Sequence, residues 1–116
     1  MTYGGLNITQ SHSGQVCVVT LTGRIDNTNA ADVMSRLSTL IASGEKNILV
    51  DLGAVLYLTS AAFRALLVAT DEAERNTARL TLCSVMGHVR ELFEMGGLLD
   101  AFTILGSREE AIARLG

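Results

Sequence analysis

Two adjacent hydroxyl side chains, those of Thr59 and Ser60, have the type and position that phosphoryl chemistry needs. They follow a short apolar run that ends at Asp51, and they precede an Ala- and Leu-rich segment that begins at Ala61. This pattern predicts a strand, a loop and then a helix that starts beside the two hydroxyls. The first N–H groups of a helix have no partner within it, and the helix dipole favours negative charge at that end. A phosphoryl group on Ser60 or Thr59 would therefore be stabilised there.

The same two hydroxyls also fit a purely structural interpretation. Ser and Thr are common N-cap residues, because their side-chain oxygen accepts a hydrogen bond from an N–H group in the first turn. The sequence pattern is the same for a cap and for a modified residue, so both interpretations stand at this level.

The strand before this loop is predicted to lie at the centre of a sheet. Residues 48–52 are short and branched, apolar except for Asp51, and bounded by turn-forming residues, which is typical of a strand buried on both faces. Residues 53–58 are predicted as a loop, and residues 61–75 as an amphipathic helix. The apolar stripe of this helix is predicted at Ala62, Leu66, Ala69 and Ala73.

The remaining elements follow from hydrophobic periodicity and from the turn residues between apolar segments. Before the central strand, we predict a strand at 6–10, a turn at 11–15, a strand at 16–21 and a helix at 29–43 with Thr28 or Asn29 as its cap. After the helix at 61–75, we predict a strand at 78–85, a helix at 87–97 and a strand at 102–105. A last helix begins at Ser107, which has the spacing of a capping box with Glu110. The order β-β-α-β-α-β-α-β-α predicts an α/β fold, a mixed β-sheet covered by helices, in one domain over residues 1–116.

Composition and motif content argue against several functional classes. The net charge is −3 and the nine Lys and Arg residues form no cluster, so no nucleic-acid binding is predicted. Cys17 and Cys83 lack a CxxC spacing and are predicted to be buried free thiols, without a zinc site or a disulfide. Neither a secretory signal nor a membrane-inserted segment is predicted, so the expected compartment is the cytoplasm. Without a P-loop, a GxGxxG motif or a GxSxG elbow, we predict neither a cofactor nor an enzyme.

The segment VDLGAVLYLTSAAFRALL resembles the signature of the STAS domain family, the anti-sigma-factor antagonists and their relatives. In that family a strand leads through a loop to an Asp-Ser-Ser/Thr-Gly-Leu motif that starts a helix. Matched residue by residue, Thr59 falls on the Asp, Ser60 on the first Ser, Ala61 on the usual phosphoacceptor, Ala62 on the Gly and Phe63 on the Leu. Because Ala61 has no hydroxyl, the phosphorylation candidates are Ser60 and then Thr59.

Two further segments carry the resemblance along most of the chain. Gly23-Arg24-Ile25-Asp26 is similar to the family's Gly-x-Leu/Ile-Asp segment, and MGGLLDAFTIL is similar to the segment before its last strand. The resemblance implies the STAS fold and, as partner, an anti-sigma factor or a serine/threonine kinase-like protein that supplies the ATP. The implied contact residues are Asp26, Thr59, Ser60, Ala61, Phe63 and Arg64. By its residue type, Asp26 also fits a turn aspartate that accepts hydrogen bonds from its own backbone.

Two alternative functions remain beside this hypothesis. Ala61 and Thr59 also fit a constitutive STAS scaffold in a signalling or transport complex that is never phosphorylated. A small serine hydrolase would need His88 or His12 as the base for Ser60, within hydrogen-bond reach. The edge of the opening hairpin could also pair with a second copy of the chain, giving a homodimer.

Overall fold

The chain folds around a six-stranded mixed sheet whose strands lie side by side in the order of the sequence. A computed structural model describes residues 2–116. The strands are β1 (Thr2–Tyr3), β2 (Leu6–Ser13), β3 (Val16–Ile25), β4 (Asn47–Leu58), β5 (Arg79–Cys83) and β6 (Thr103–Leu105). The first three strands pair antiparallel, whereas β3 to β6 run parallel to one another.

Helices connect the parallel strands and cover the sheet. They are α1 (Ala30–Ala42), α2 (Ser60–Arg75), α3 (Gly87–Met95) and α4 (Arg108–Leu115), and a short 3₁₀ turn (Leu99–Ala101) precedes β6. The order of elements confirms the predicted α/β arrangement, to which the structure adds β1 and the 3₁₀ turn. Among residues 2–116, no helix has both the length and the apolar character needed to cross a membrane.

The centre of the sheet is buried on both faces, as predicted for residues 48–52. Ile48 and Val50 are fully buried in the larger hydrophobic cluster, which also contains the α2 stripe of Ala62, Leu66, Ala69 and Ala73. Leu49 points to the other face, where it belongs to a smaller cluster with Ala111 of α4. Two apolar layers therefore hold β4 in place, because successive side chains of a strand point to opposite faces.

The prediction of a loop at 53–58 is wrong, because these residues continue β4. Thr20 pairs with Asp51 and Thr22 with Ala54, so β4 carries one extra residue in this interval. Such a bulge bends the strand without ending it, and Gly53 within it made the segment resemble a turn. A second shift follows, because Gly23 pairs with Val55 but Arg24 pairs with Tyr57, and Leu58 then lies opposite Ile25.

The opening hairpin is also longer and tighter than predicted. β2 continues to Ser13, so that only Gly14 and Gln15 form the turn, and His12 lies within the strand and not in the predicted turn. β3 continues past Leu21 to Ile25. Gly23 is required there, since a Cβ on it would lie 2.2 Å from the carbonyl oxygen of Gly5.

Candidate functional site

The two connections that carry the predicted site residues lie side by side at one end of the sheet. β3 and β4 are parallel neighbours, and their last residues, Ile25 and Leu58, are paired. The N–H of Thr59 donates to the carbonyl oxygen of Ile25 over 3.1 Å. The connection from β3 to α1, which contains Asp26, is thereby held against the start of α2.

The hydroxyl of Thr59 does not cap α2, although Thr59 occupies the N-cap position. Its backbone is extended, with φ −96° and ψ 173°, and its carbonyl oxygen accepts from the N–H groups of Ala62 and Phe63. Its side-chain Oγ1 is turned instead toward Asn27 Oδ1 at 3.3 Å. The interpretation of this hydroxyl as a helix cap is therefore wrong.

Ser60 is the first residue of α2, and its side chain is exposed. Its hydroxyl makes no hydrogen bond with any other part of residues 2–116, so the capping interpretation fails for this residue as well. The first turn of α2 contains no acidic residue. A dianionic group on Ser60 would thus meet the positive end of the helix dipole without a carboxylate in the same turn.

The loop beside this helix start is ordered by the side chains of Asp26 and Asn29. Asp26 Oδ1 accepts from the backbone N–H of Thr28 over 2.9 Å and from its hydroxyl over 2.6 Å. The hydrogen bond from the Thr28 hydroxyl lowers the pKa of Asp26 the most, and the bond from the Thr28 N–H lowers it further. The interpretation of Asp26 as a turn residue is confirmed, and the loop that contains it adjoins the start of α2 through the contact of Asn27 with Thr59.

Asn29 has a larger structural role than its predicted one as a helix cap. It is fully buried, and its side chain makes no cap hydrogen bond to α1. It accepts from the N–H of Asp26 over 2.9 Å and donates to the carbonyl oxygens of Arg24 and Gly4. Asp26 and Arg24 belong to the same connection, but Gly4 lies 25 residues away, and periodicity along the sequence could not have indicated that contact.

An apolar cleft opens on one side of Ser60, between α2 and α3. Its walls include Tyr57, Phe63, Arg64 and Leu92, and Ser60 itself lies on its border. Phe63 is only partly exposed, since its ring meets that of Phe93 edge-on at a centroid distance of 4.8 Å. Of the predicted contact residues, Phe63 thus joins the core to the cleft, whereas Arg64 is exposed.

A second, shallower groove lies on the other side of the helix start, between α1 and α2. It is lined by Ala30, Ala31, Met34, Ala61, Arg64, Ala65 and Val68. Ala61 contributes its methyl group to this apolar surface, and Arg64 borders both depressions. The structure therefore brings the predicted residues around the start of α2, with apolar surface on either side.

The geometry of a serine hydrolase is not assembled around Ser60. His88 Nδ1 lies 3.4 Å from Glu91 Oε1, and its ring stacks on Tyr57 at a centroid distance of 6.1 Å. His12 is paired with Glu45. Neither imidazole is hydrogen-bonded to Ser60 in the part of the chain that the structure describes.

Comparisons with known proteins agree with the predicted family and fold. The STAS domain family model matches residues 7–111. A protein of Bordetella bronchiseptica, named as the anti-sigma factor antagonist BtrV, is 31% identical over 108 residues, which are 93% of each chain.

Solved structures show the same fold at lower identity. The anti-sigma factor antagonist from Mycobacterium paratuberculosis superposes with a TM-score of 0.84 at 19% identity, covering 95% of this chain and 93% of that one. The Bacillus cell fate determinant SpoIIAA, in its phosphorylated form, gives a TM-score of 0.72 at 21% identity over 95% of this chain and 100% of that one. The predicted mixed sheet with covering helices is thereby confirmed.

Proposed function

The chain belongs to the STAS domain family, and we propose that it is an anti-sigma-factor antagonist that switches partners through the start of α2. In this proposal it binds a kinase-like anti-sigma factor, which transfers a phosphoryl group from its own ATP to Ser60. The chain itself catalyses no step and needs no cofactor. The observation that carries the proposal is the exposed Ser60 hydroxyl, which begins a helix and yet has no hydrogen-bond partner within residues 2–116.

Ser60 is a better acceptor than its two neighbours. Thr59 is partly buried, and its hydroxyl contacts Asn27. Ala61 has no hydroxyl, and its methyl group lines the groove between α1 and α2. A kinase active site could reach the Ser60 hydroxyl without breaking an existing contact.

The surface around Ser60 has the composition of a docking site. The contact set of this proposal is Asp26, Thr59, Ser60, Ala61, Phe63 and Arg64. Apolar depressions lie on both sides of Ser60, and Tyr57, at 43% exposure, adds an aromatic ring. Asp26 and Arg64 supply one charge of each sign at the rim, where charges contribute mainly to specificity and to the rate of association.

Phosphorylation would release the partner through charge and desolvation together. A phosphoserine carries about −1.5 to −2 charges at pH 7. Ser60 lies between the two apolar depressions, so a docked partner would have to cover that charge and remove its water. In the free form, water still solvates the phosphoryl group, and the positive end of the helix dipole favours an anion.

The acceptor can be tested by intact-mass analysis after incubation with ATP and the anti-sigma factor encoded nearest to this chain. We expect a gain of one phosphoryl group in the wild type and in Thr59→Ala, and no gain in Ser60→Ala. A gain that persists in Ser60→Ala would overturn the assignment of the acceptor. Stable binding without any gain would instead identify a constitutive scaffold, which Ala61 at the family's usual acceptor position would explain.

The docking surface can be tested separately by titration calorimetry with the same partner. Ser60→Asp should weaken binding at least about tenfold, or about 1.4 kcal/mol, because a buried carboxylate would remain unpaired. Ser11→Asp is the matched control, since it adds the same charge to the exposed side of β2. Equal affinities of the two variants would contradict a docking surface centred on Ser60.

A further inference from the structure

Three side chains that can bind a metal ion converge at the end of β4 opposite to Ser60. They are His12, Cys17 and Glu45, and one ligand atom of each lies within 4.8 Å of the other two. His12 Nε2 and Glu45 Oε2 are 2.7 Å apart. Cys17 pairs with Ile48 near the start of β4, so this cluster is separate from the partner-binding surface at its other end.

The backbone fixes the positions of all three side chains. His12 and Cys17 are directly opposite each other in the antiparallel pair of β2 and β3, so their side chains lie on the same face of the sheet. Glu45 follows the end of α1, where its N–H donates to the carbonyl oxygen of Leu40 and the N–H of Gly44 donates to that of Ile41. This bonding pattern ends the helix and sets the direction of the chain at Glu45.

We propose that His12, Cys17 and Glu45 form a binding site for Zn²⁺, with a water molecule as the fourth ligand. Zinc accepts thiolate, imidazole and carboxylate in one tetrahedral shell, at bond lengths of about 2.0 to 2.3 Å. Ligand atoms in such a shell lie roughly 3.5 Å apart. Side-chain rotations that displace the ligand atoms of His12, Cys17 and Glu45 by about 1 Å would give this spacing. Mg²⁺ and Ca²⁺ are disfavoured, because they prefer oxygen ligands over a thiolate.

Burial of the cluster allows an ion to enter from one side only. The side chain of His12 is 51% exposed and that of Glu45 is 23% exposed, whereas Cys17 is completely buried. An ion would reach the thiol past the imidazole. On binding, the Cys17 thiol loses its proton to the solvent. The thiolate, the neutral His12 imidazole and the Glu45 carboxylate then form bonds to the ion and replace all but one of its water ligands.

The spacing of these residues in the sequence conceals the cluster. His12 and Cys17 are separated by the hairpin turn, and Glu45 is contributed by a different connection, so a search for short metal motifs fails. The expectation that Cys17 lacks a zinc site rested on that search. The burial of its thiol is confirmed, and the thiol lies within 4.8 Å of ligand atoms of His12 and Glu45, which are contacts that the spacing in the sequence does not indicate.

Cobalt substitution tests the site directly, because a thiolate bound to Co²⁺ gives a charge-transfer absorption that imidazole and carboxylate ligands do not give. The metal-free chain is titrated with CoCl₂, and bound Co²⁺ is then displaced with ZnCl₂. We expect saturation at one ion per chain and loss of the band on adding Zn²⁺. Cys17→Ser should abolish the band, whereas Cys83→Ser should retain it, since Cys83 is buried elsewhere, in the smaller cluster.

The exposed histidine provides a second test that does not depend on the fold of a core variant. His12→Asn should weaken Co²⁺ and Zn²⁺ binding at least about tenfold. His88→Asn is the matched control, because His88 is also exposed and also contacts a glutamate. Absence of a thiolate band in the wild type would overturn the proposal, and so would equal affinities of the two histidine variants. His12 and Glu45 would then be an ordinary surface ion pair above a core thiol.

Discussion

Helices α2 and α4 both begin with a hydroxyl-bearing residue at the N-cap position, but only α4 uses its hydroxyl as a cap. Ser107 Oγ accepts from the N–H of Glu110 over 3.1 Å. Thr59 makes no such bond, and the adjacent Ser60 is exposed to solvent. The same residue types therefore stabilise one helix and leave the other with an unused hydroxyl at its positive end.

A side-chain ion pair also ties the start of α4 to the sheet, whereas the start of α2 is joined to it by the backbone bond from Thr59 to Ile25. Arg108 Nε donates to Asp51 Oδ2 over 2.8 Å, and its Nη2 donates to the Thr20 hydroxyl. The side chain of Asp51 is only 13% exposed, so the ion pair joins α4 to the partly buried middle of β3 and β4. The polar side chains at the start of α4 are engaged in contacts that stabilise the fold, whereas the Ser60 hydroxyl at the start of α2 is exposed for recognition.

The largest effect is expected on breaking the Arg108–Asp51 pair. Arg108→Met should lower the free energy of unfolding by about 2 kcal/mol, because a mostly buried carboxylate loses its charged partner. Urea denaturation measures this change. Arg75→Met is the control, since Arg75 makes an exposed pair with Asp71 whose loss should cost less than about 0.5 kcal/mol. Equal losses in the two variants would mean that the Arg108–Asp51 pair stabilises the start of α4 no more than an exposed ion pair would.

The next effect concerns the cap of α4. Ser107→Ala should lower the free energy of unfolding by about 1 kcal/mol, because the N–H of Glu110 loses its acceptor. Ser107→Asp should recover most of this loss, since a carboxylate can accept the same bond and favours the helix dipole. Unfolding curves in urea for the three proteins test both statements. A loss that Ser107→Asp does not recover would mean that the hydroxyl is not acting as a cap.

This contrast also shows which features the sequence could predict. The Ser107 cap was predicted because both partners lie within four residues of each other. The buried centre of β4 was predicted because an apolar run is informative by itself. The role of Thr59 was not predictable, since its contact, Asn27, is brought to it by the pairing of two distant strands. The bulge at Gly53 was missed for the same reason, because a bulge is defined by the partner strand.

The candidate site shows the same division between local and distant information. The helix start at Ser60 was predicted to within one residue from local pattern. Asn29 was predicted only as a helix cap, because its actual partners, Gly4 and Arg24, lie outside its own helix. The His12–Cys17–Glu45 cluster likewise depends on strand register.

A smaller effect is expected at the start of α2. Thr59→Ala and Ser60→Ala should each change the free energy of unfolding by less than about 0.5 kcal/mol, because neither hydroxyl makes a cap bond. At Ser60, the first helical residue, alanine also favours the helix. The measurement is the same urea denaturation that is used for Ser107→Ala. A loss of about 1 kcal/mol in either variant would show that the hydroxyl caps the helix in solution and would weaken the distinction from α4.

The smallest effect is a change in the titration of Asp26, which tests whether the loop beside α2 is as ordered as the start of α4. Hydrogen bonds from Thr28 lower the pKa of Asp26, the one from its hydroxyl more than the one from its N–H. The Asp26 carboxyl therefore binds a proton more weakly in the folded state than in the unfolded state. Its contribution to stability is therefore present above the unfolded pKa and is lost as the pH falls through the folded one. Thr28→Ala removes the hydroxyl, so the pKa should rise toward its ordinary value while the remaining N–H keeps it lowered. A carboxyl ¹³C NMR titration measures both values, and an unchanged pKa in Thr28→Ala would mean that this loop is not held by the Asp26–Thr28 contact in solution.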